Sequence, residues 1–352
     1  MSKMKTQPAP SAEQTEILFS PTQYTAFPQV IRLDGDELLM AFRQAPVCPK
    51  EIRHTHPRSV ITVIRSYDLG RTWDLDNAGQ LGAGGGSEFA PLYLGGGKVT
   101  GAMAWLEVAP EHESERAGLP YENQHEYPVR TPGSFWVRSH NFGFTWRPDQ
   151  VTMIGPDSQA CGAPILTDEG ALLCPVYQMI GDDQAMSSVL YRSDDLGDSW
   201  SRPVVIASDK STGEFCGPAL IEVEPGRILA MHRIERTDEY FWLNRSTDGG
   251  RTWSEPTPPN ILSGACPRLL KLRDGRLVLT FGRRFKPYGI RAAISEDGGQ
   301  TWGDTQYILR DGPNWDLGYT SSIELDDGQI FTATYMQRFG TTGIVGTFWQ
   351  AP

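Results

Sequence analysis

The sequence predicts an all-β protein, a six-bladed β-propeller folded as one domain, and two interleaved repeats carry that prediction. The first repeat is an eight-residue box of the form Ser-x-Asp-x-Gly-x-Thr-Trp, with one position altered in two copies. Its five copies are SYDLGRTW (66–73), SHNFGFTW (139–146), SDDLGDSW (193–200), STDGGRTW (246–253) and SEDGGQTW (295–302). Boxes that begin 49 to 73 residues apart suit propeller blades of four strands or slightly more.

The second repeat is a short apolar strand, a Gly-containing turn and another apolar strand. Its six copies occupy residues 27–42, 90–103, 163–176, 217–231, 266–281 and 320–335. A box follows five of them, whereas the sixth runs on to Pro352 without one. Because a closed ring leaves no exposed sheet edge, we expect a strand within residues 16–24 to pair with the last blade. The predicted propeller is residues 16–352, and residues 1–15 are predicted to be a disordered lead.

Each box has the chemistry of a hairpin turn rather than of a catalytic site. Asp and Ser side chains bond backbone N–H groups within a turn, and Gly supplies the left-handed conformation. We expect the Trp to pack into the blade core and to fix the hairpin. The boxes therefore predict structure and not activity.

The longest interval between boxes contains an insertion at 105–131 that is rich in charged and aromatic residues. Long connections without their own periodicity are usually functional or disordered. Tyr121, His125 and Tyr127 make this insertion a candidate lid over the ring axis. A surface excursion or a dimer contact fits the same composition.

Composition and charge exclude some classes of function. The 352 residues carry a net charge of −11, which disfavours a nucleic-acid or anionic-membrane partner. No apolar stretch approaches the ~20 residues of a membrane span, and the polar N-terminus lacks the apolar region of a signal peptide. Five cysteines without CxxC spacing predict reduced, mostly buried thiols and a cytoplasmic protein, unless a signal peptide has been removed. The sequence indicates no cofactor and leaves the oligomeric state open.

In a propeller, the residues just before each strand–turn–strand unit converge on the axis. In this chain they are Thr25, Ala26, Glu88, Gln159, Cys161, Glu214, Cys266 and Tyr319. Arginines that end the second strand or open the third face the same mouth, namely Arg43, Arg233, Arg283, Arg284 and Arg291. A guanidinium group binds a carboxylate through two hydrogen bonds. Carboxylates, a phenol and several guanidinium groups together indicate a binding pocket rather than an ordinary core.

The boxes and these mouth residues resemble the sialidase (neuraminidase) superfamily, also called BNR or Asp-box proteins, from about Thr22 to the end of the chain. The resemblance implies a tyrosine nucleophile activated by a glutamate, an aspartate acid and three arginines that clamp a sugar carboxylate. Glu214, in GEFCGPALIEVEPGRILAMHR, matches the glutamate, and Tyr319, in DLGYTSSIELDDG, matches the nucleophile. Arg233 and Arg291 match the second and third arginines.

The chemistry agrees with this resemblance. A phenol with a pKa near 10 is a poor nucleophile unless a neighbouring base takes its proton. Beside an anionic substrate, a neutral tyrosine avoids the repulsion that a carboxylate nucleophile would meet, which separates sialidases from most glycosidases.

Blade one departs from the family pattern. Ala26 stands where the first clamp arginine is expected, and the loop that should carry the acid aspartate contains His54 and His56 instead. A histidine can donate a proton near neutral pH, so these two are candidates for the acid. They are expected to alternate on one strand face, which would admit a metal ion, but no third ligand is evident and no metal is predicted.

The positive charge missing from blade one has other candidate sources. Arg43, Arg53 and Arg58 lie near the altered position in the sequence. Asp316, just ahead of Tyr319, is a candidate for a second acid, and Glu88 for a substrate contact.

The sequence therefore predicts a sialidase-like exo-glycosidase that acts on a terminal, anionic sugar. Tyr319 would attack the anomeric carbon, Glu214 would take its proton, and His54 or His56 would act as the acid. Loss of one clamp arginine predicts a substrate other than the usual sialosides, such as a uronate. A polysaccharide lyase using Arg, His and Tyr is an alternative, and so is a propeller that only binds glycans.

Overall fold

The computed structural model describes residues 5–48, 54–83, 88–118, 127–181, 185–209, 213–234, 241–259, 261 and 264–352. It is 57% strand and 3% helix, arranged as a six-bladed β-propeller, which confirms the predicted fold class. Within the described ranges, no helix is both long enough and apolar enough to cross a membrane. All five cysteines are free and four of them are buried, as the sequence predicts.

The strands form six sheets, one per blade. Two strands precede the first blade, β1 (Lys5–Pro8) and β2 (Glu13–Leu18). Blade one is β3 (Gln23–Arg32), β4 (Leu38–Pro46), β5 (Val60–Ser66) and β6 (Asp74–Ala83). Blade two is β7 (Phe89–Tyr93), β8 (Val99–Val108), β9 (Val129–Ser139) and β10 (Thr152–Pro156). Blade three is β11 (Ser158–Gln159), β12 (Ile165–Leu166), β13 (Leu172–Ile180), β14 (Ala185–Ser193) and β15 (Val204–Ala207).

The remaining blades follow the same plan. Blade four is β16 (Phe215–Glu224), β17 (Arg227–Ile234) and β18 (Trp242–Ser246). Blade five is β19 (Ala265–Lys271), β20 (Leu277–Arg283), β21 (Gly289–Ser295) and β22 (Thr305–Asp311), and blade six is β23 (Leu317–Glu324), β24 (Ile330–Arg338) and β25 (Thr341–Trp349). Strands β4 and β20 are almost continuously buried, because neighbouring blades cover both of their faces.

The N-terminal segment closes the ring. Strand β2 pairs antiparallel with β25, so the start of the chain supplies the outer strand of blade six. Strand β1 pairs parallel with β22 and extends blade five. The predicted pairing of an N-terminal strand with the last blade is confirmed, at residues 13–18 rather than 16–24. The disordered lead is wrong for residues 5–8 and 13–15, because backbone hydrogen bonds to open sheet edges order this polar segment.

The boxes are the turns that follow β5, β9, β14, β18 and β21, one in each of blades one to five. In the first box, Ser66 Oγ accepts a hydrogen bond from the N–H of Gly70 at 2.7 Å, and Asp68 accepts from both the N–H and the hydroxyl of Thr72. Trp73 Nε1 donates to the carbonyl of Gly70, which has a φ of 90°. Blade six has no such turn, since its outer strand comes from the start of the chain, and this explains why it carries no box.

The box tryptophans pack between blades. Trp200 of blade three lies 5.3 Å from Trp136 of blade two, and Trp73 of blade one lies 6.1 Å from Phe331 of blade six, measured between ring centroids. The core into which each box Trp packs is therefore the apolar layer between neighbouring blades. The apolar faces of adjacent blades face each other, so the Trp that stabilises a box turn also packs in the interface between two blades.

Four inner strands carry a bulge at the same place, where the strand register shifts. The residues that adopt a left-handed conformation there are Phe27, Gly217, Cys266 and Tyr319. A bulge bends a strand and redirects a side chain. We call the end of the ring where the inner strands begin the mouth, and the end that carries the boxes the box face.

The insertion joins β8 to β9 at the mouth, as residues 109–128. It contains a 3₁₀ turn (Glu111–Glu113) and the helix α1 (Ser114–Ala117). The Tyr127 ring lies 5.5 Å from that of His56, and its hydroxyl lies 3.9 Å from Cys48 Sγ. The end of the insertion therefore contacts blade one beside the mouth. Tyr121 and His125 lie outside the described residues, and the lid stays a prediction.

Candidate functional site

Tyr319, the third residue of the inner strand β23 of blade six, has its ring partly exposed at the mouth and its hydroxyl end buried. Its φ of 49° is uncommon for a residue with a side chain, and such conformations cluster at functional sites. The guanidinium carbon of Arg284 lies 5.5 Å from the centre of its ring. Burial and the negative charge of Cys266 raise the pKa of the Tyr319 hydroxyl well above 10. The phenol is therefore protonated and needs a proton acceptor before it can act as a nucleophile.

Two thiols lie beside Tyr319 on the axis. Cys161 falls between β11 and β12, where the inner strand of blade three is interrupted, and its Sγ is 3.5 Å from Cys266 Sγ. Burial raises the pKa of Cys266, but the hydrogen bond from Cys161 and the charges of Arg233 and Arg268 outweigh it and lower this pKa to about 5. Donation to Cys266 and burial raise the pKa of Cys161. The pair is thus one thiolate that accepts a hydrogen bond from one thiol.

Glu88 completes this group on the axis. It precedes β7, is buried, and its Oε2 has no hydrogen-bond partner. Burial and the charge of Cys266 raise the pKa of Glu88 to about 8, so the carboxyl is protonated at neutral pH. We call Glu88, Cys161, Cys266 and Tyr319 the axis cluster. One negative charge is shared within it, and Arg233, Arg268 and Arg284 surround it.

A His–Asp pair forms the second part of the mouth. His54 Nε2 lies 3.1 Å from Oδ1 of Asp316, whose side chain is fully buried. Tyr24 donates to Asp316 Oδ1 at 2.9 Å and Thr342 to Oδ2 at 2.7 Å. Burial alone would raise the pKa of Asp316, but His54, Thr342 and Tyr24 outweigh it and lower the pKa. Because an ionised carboxylate only accepts, Nε2 of His54 carries the proton, and proton exchange with a substrate has to run through Nδ1.

Trp315 joins the two parts of the mouth. Its side chain is 44% exposed, and its ring lies 5.9 Å from that of His54. The Arg284 guanidinium is also 5.9 Å from the Trp315 ring. An exposed aromatic ring beside polar groups suits the apolar face of a sugar. The sequence reasoning missed Trp315, although its place just before Asp316 and Tyr319 was a usable signal.

Arg284, and not Arg291, is the arginine beside Tyr319. Arg284 donates to the hydroxyl of Tyr335 at 2.5 Å at the mouth. Arg291 is buried on β21, donates to the carbonyl of Arg310 at 3.3 Å and lies 3.6 Å from Asp311. The expectation that Arg291 clamps a substrate carboxylate is therefore corrected, because backbone carbonyls and Asp311 bind its guanidinium between β21 and β22.

The other arginines predicted to face the mouth differ in their location and exposure. Arg233 is partly exposed, and its charge acts on Cys266. Arg43 is buried, donates to Ser59 Oγ at 3.1 Å and lies 5.4 Å from the Tyr24 ring, on the side of the His–Asp pair. Arg58 is exposed on the surface of the loop that joins β4 to β5. Arg53 lies outside the described residues.

The catalytic roles predicted for Glu214 and His56 stay predictions, whereas the predicted arrangement of the two histidines is corrected. Glu214 is partly exposed just before β16, and the acids that act most strongly on Tyr319 are Cys266, Cys161 and Glu88. His54 and His56 lie in a loop rather than on one strand face, so that expectation is wrong. His56 Nδ1 accepts from the Arg58 N–H at 3.0 Å. In the part of the chain that the structure describes, no three His, Cys, Asp or Glu side chains are grouped to hold a metal ion.

Comparison with known proteins gives one family and a consistent set of folds. The model of the BNR repeat-like domain matches residues 103–332. A crystal structure of a protein of unknown function from Dyadobacter fermentans DSM 18053 is 24% identical, with a TM-score of 0.85 over 97% of this chain and 100% of that one. No curated protein matches the chain in sequence.

Named sialidases are among the proteins with a similar fold. The Hadza microbial sialidase Hz136 is 20% identical, with a TM-score of 0.69 over 93% of this chain and 66% of its own. The K499G mutant of NanB sialidase from Streptococcus pneumoniae is 13% identical, with a TM-score of 0.68 over 96% and 70%. This chain thus spans about two thirds of each. Boxes, ring and family model agree, and the chain belongs to the BNR repeat-like domain family.

Proposed function

We propose that the protein is a sialidase-like glycoside hydrolase that releases a terminal, carboxylate-bearing sugar. One observation carries this proposal: the rings of Tyr319 and His54 both contact the ring of Phe27. The Phe27 ring lies 4.6 Å from Tyr319 and 5.5 Å from His54. A nucleophile and a proton donor around one ring can act on the two sides of a glycosidic bond.

The reaction follows from these positions. The Tyr319 oxygen forms a bond to the anomeric carbon while the glycosidic C–O bond breaks. Protonated His54 gives its Nδ1 proton to the leaving oxygen, and Asp316 stabilises the ring through Nε2. The phenolic proton goes to the Cys266 thiolate, whose pKa the Tyr319 hydroxyl already lowers by donating to it. The sequence assigned this step to Glu214, so the two acceptors are tested against each other.

Two arginines at the mouth suit an anionic substrate. Arg284 and Arg233 bring positive charge to the edge of the axis cluster. Arg284 thereby replaces Arg291 in the predicted clamp. Trp315 adds a stacking surface beside them.

A polysaccharide lyase is the second candidate, and the contact between His54 Nε2 and Asp316 favours it. With Nε2–H donated to Asp316, neutral His54 offers Nδ1 as a base that can remove the proton next to a uronate carboxylate. Arginine would neutralise that carboxylate and Tyr319 would protonate the leaving oxygen. Only this route creates a conjugated double bond that absorbs in the ultraviolet.

The test is a screen of aryl glycosides and acidic polysaccharides, read for reducing ends and for ultraviolet absorbance. On the substrate it finds, Tyr319→Phe should lower kcat by at least about 1,000-fold, because the covalent route is lost. Its unfolding free energy should fall by only about 1 kcal/mol, the worth of one hydrogen bond. Tyr307→Phe on β22 is the matched control and should keep full activity.

The variants also separate the alternatives. If the Cys266 thiolate takes the proton, Cys266→Ser should lower kcat more than Glu214→Gln does. The opposite result would identify Glu214 as the proton acceptor. A Tyr319→Phe enzyme with near-normal hydrolysis would contradict the tyrosine mechanism. Ultraviolet absorbance without hydrolysis would establish the lyase, and binding without turnover would leave a glycan-binding propeller.

A further inference from the structure

We propose that Cys161 and Cys266 form a reversible disulfide across the axis and that its formation switches the mouth off. The two Sγ atoms are 3.5 Å apart and come from blades three and five, with blade four between them. A disulfide has a length of about 2.05 Å, so the sulfurs have to approach each other by roughly 1.5 Å. The bond itself does not depend on the proposed function, whereas its effect on turnover does.

The space around the sulfurs allows this approach. Gly217, in the bulge of blade four, faces both of them with a φ of 53°. A Cβ atom at this position would lie 3.0 Å from Cys266 Sγ and 3.8 Å from Cys161 Sγ. The glycine therefore leaves open the volume in which the two sulfurs meet, and any larger residue would fill it.

The electrostatics favour reaction at this pair. Arg233 and Arg268 stabilise the Cys266 sulfur as a thiolate, which is the reactive form of cysteine. Cys161 contributes the neighbouring thiol that can resolve an oxidised partner. Cys174 provides the contrast, because it is buried among apolar residues between blades two and three, where burial raises its pKa.

The chemistry balances with a hydroperoxide as the oxidant. The Cys266 thiolate attacks one peroxide oxygen, the O–O bond breaks, and an alcohol leaves after taking a proton, so that Cys266 becomes a sulfenic acid. Cys161 sulfur then attacks Cys266 sulfur, the S–S bond forms, and the sulfenic oxygen leaves as water with the Cys161 proton. The thiolate–thiol pair loses two electrons and one proton in total, and the proton that the alcohol takes comes from solvent.

Oxidation has two consequences in the structure. The new bond joins positions 105 residues apart and closes a loop that contains all of blade four. Closing a long loop restricts the unfolded chain, so thermal stability should rise. The Cys266 sulfur also loses its charge, and Tyr319 loses the acceptor for its proton.

The experiment treats the full-length protein with tert-butyl hydroperoxide and follows crosslinking, melting temperature and turnover. We expect a peptide that joins Cys161 to Cys266, a higher Tm, and a fall in kcat of about 100-fold, typical of losing a proton acceptor. Dithiothreitol should reverse all three. Cys161→Ser should lose the crosslink and the rise in Tm, whereas Cys174→Ser, the matched control, should keep both.

Two outcomes would overturn the proposal. One is oxidation of other cysteines at a peroxide dose that leaves Cys161 and Cys266 unlinked in the wild-type protein. The other is a crosslink that leaves Tm and turnover unchanged. Because crosslinking and Tm need no substrate, a crosslinked, stabilised protein without any glycan turnover would contradict the proposed function and not the disulfide.

Discussion

The two ends of the ring follow opposite rules. At the box face, Asp68, Asp195, Asp248 and Asp297 bond the N–H and hydroxyl of the residue four positions on. At the mouth, the bulges of four inner strands hold four different residues, Phe27, Gly217, Cys266 and Tyr319. The repeated turns at the box face stabilise the ring. The residues at the mouth can therefore differ from blade to blade. Chemistry is therefore to be sought where the repeat breaks.

This contrast separates the effects of substitutions. Variants at the mouth should change turnover with little change in stability, and variants at the box face should do the reverse. A single substitution that changed both strongly would show that the two ends are coupled through the blades.

Among the substitutions that test this contrast, the largest effect is expected at His54. His54→Gln keeps an N–H that can donate to Asp316 but cannot exchange a proton, so kcat should fall by about 100- to 10,000-fold. The matched control is His140→Gln, because His140 is an exposed residue of the second box whose Nε2 contacts Gln150 at 2.9 Å. Steady-state kinetics on the screened substrate measures both. Normal turnover in His54→Gln would remove the His–Asp pair from the mechanism.

A smaller effect, on stability alone, is expected at Asp248. Its carboxylate accepts hydrogen bonds from Ser246, Arg251 and Thr252, and Asp248→Ala should cost about 1–2 kcal/mol of unfolding free energy. Denaturant titration measures the loss, and kcat should not change. A large fall in kcat would show that the box face contributes to the chemistry.

The same variant should show a defined pH dependence. Burial alone would raise the pKa of Asp248, but the bonds from Thr252, Ser246 and Arg251 outweigh it and lower the pKa from 3.8 to about 2. A depressed pKa stabilises the fold above the unfolded value, and this contribution disappears as the pH falls through the folded value. The stability difference between wild type and Asp248→Ala should therefore shrink between pH 4 and pH 2.

The smallest effect is expected at Asn141, the residue that breaks the pattern of the second box. Its amide oxygen accepts from the Thr145 N–H at 3.0 Å and from the Thr145 hydroxyl at 3.2 Å. Asn141→Asp makes these bonds charge-assisted and should stabilise the protein by about 0.5 kcal/mol, a shift that calorimetry can resolve. A destabilised variant would mean that the second box is built differently from the others.

The fold could be predicted from the sequence because the motifs that define it recur at regular intervals. Five boxes and six strand–turn–strand units fix the number of blades, and each turn is local chemistry. The sequence could not predict that residues 5–15 have ordered structure. Strand β1 is exposed and polar, and it forms only because β22 offers an open edge. Pairing between the two ends of a chain leaves no local pattern.

The mouth was only partly readable. Tyr319 could be placed because it lies near the start of an inner strand, and all inner strands begin at the axis. Arg291 was misplaced because neighbouring strand residues point to opposite faces, and the register decides which face is which. The contact between His54 and Asp316 joins residues 262 positions apart, so no spacing rule could have revealed it.

The pairing of β1 and β2 also sets the order in which the molecule can be assembled. Lys5 pairs with Thr305 and Glu13 with Phe348, so strands β1 and β2 are synthesised before every blade but find their partners only in the last two. Contacts this distant in sequence make folding slow. During synthesis, β1 and β2 have to stay unpaired until blades five and six have emerged, and closure of the ring therefore requires that the last blade has been made.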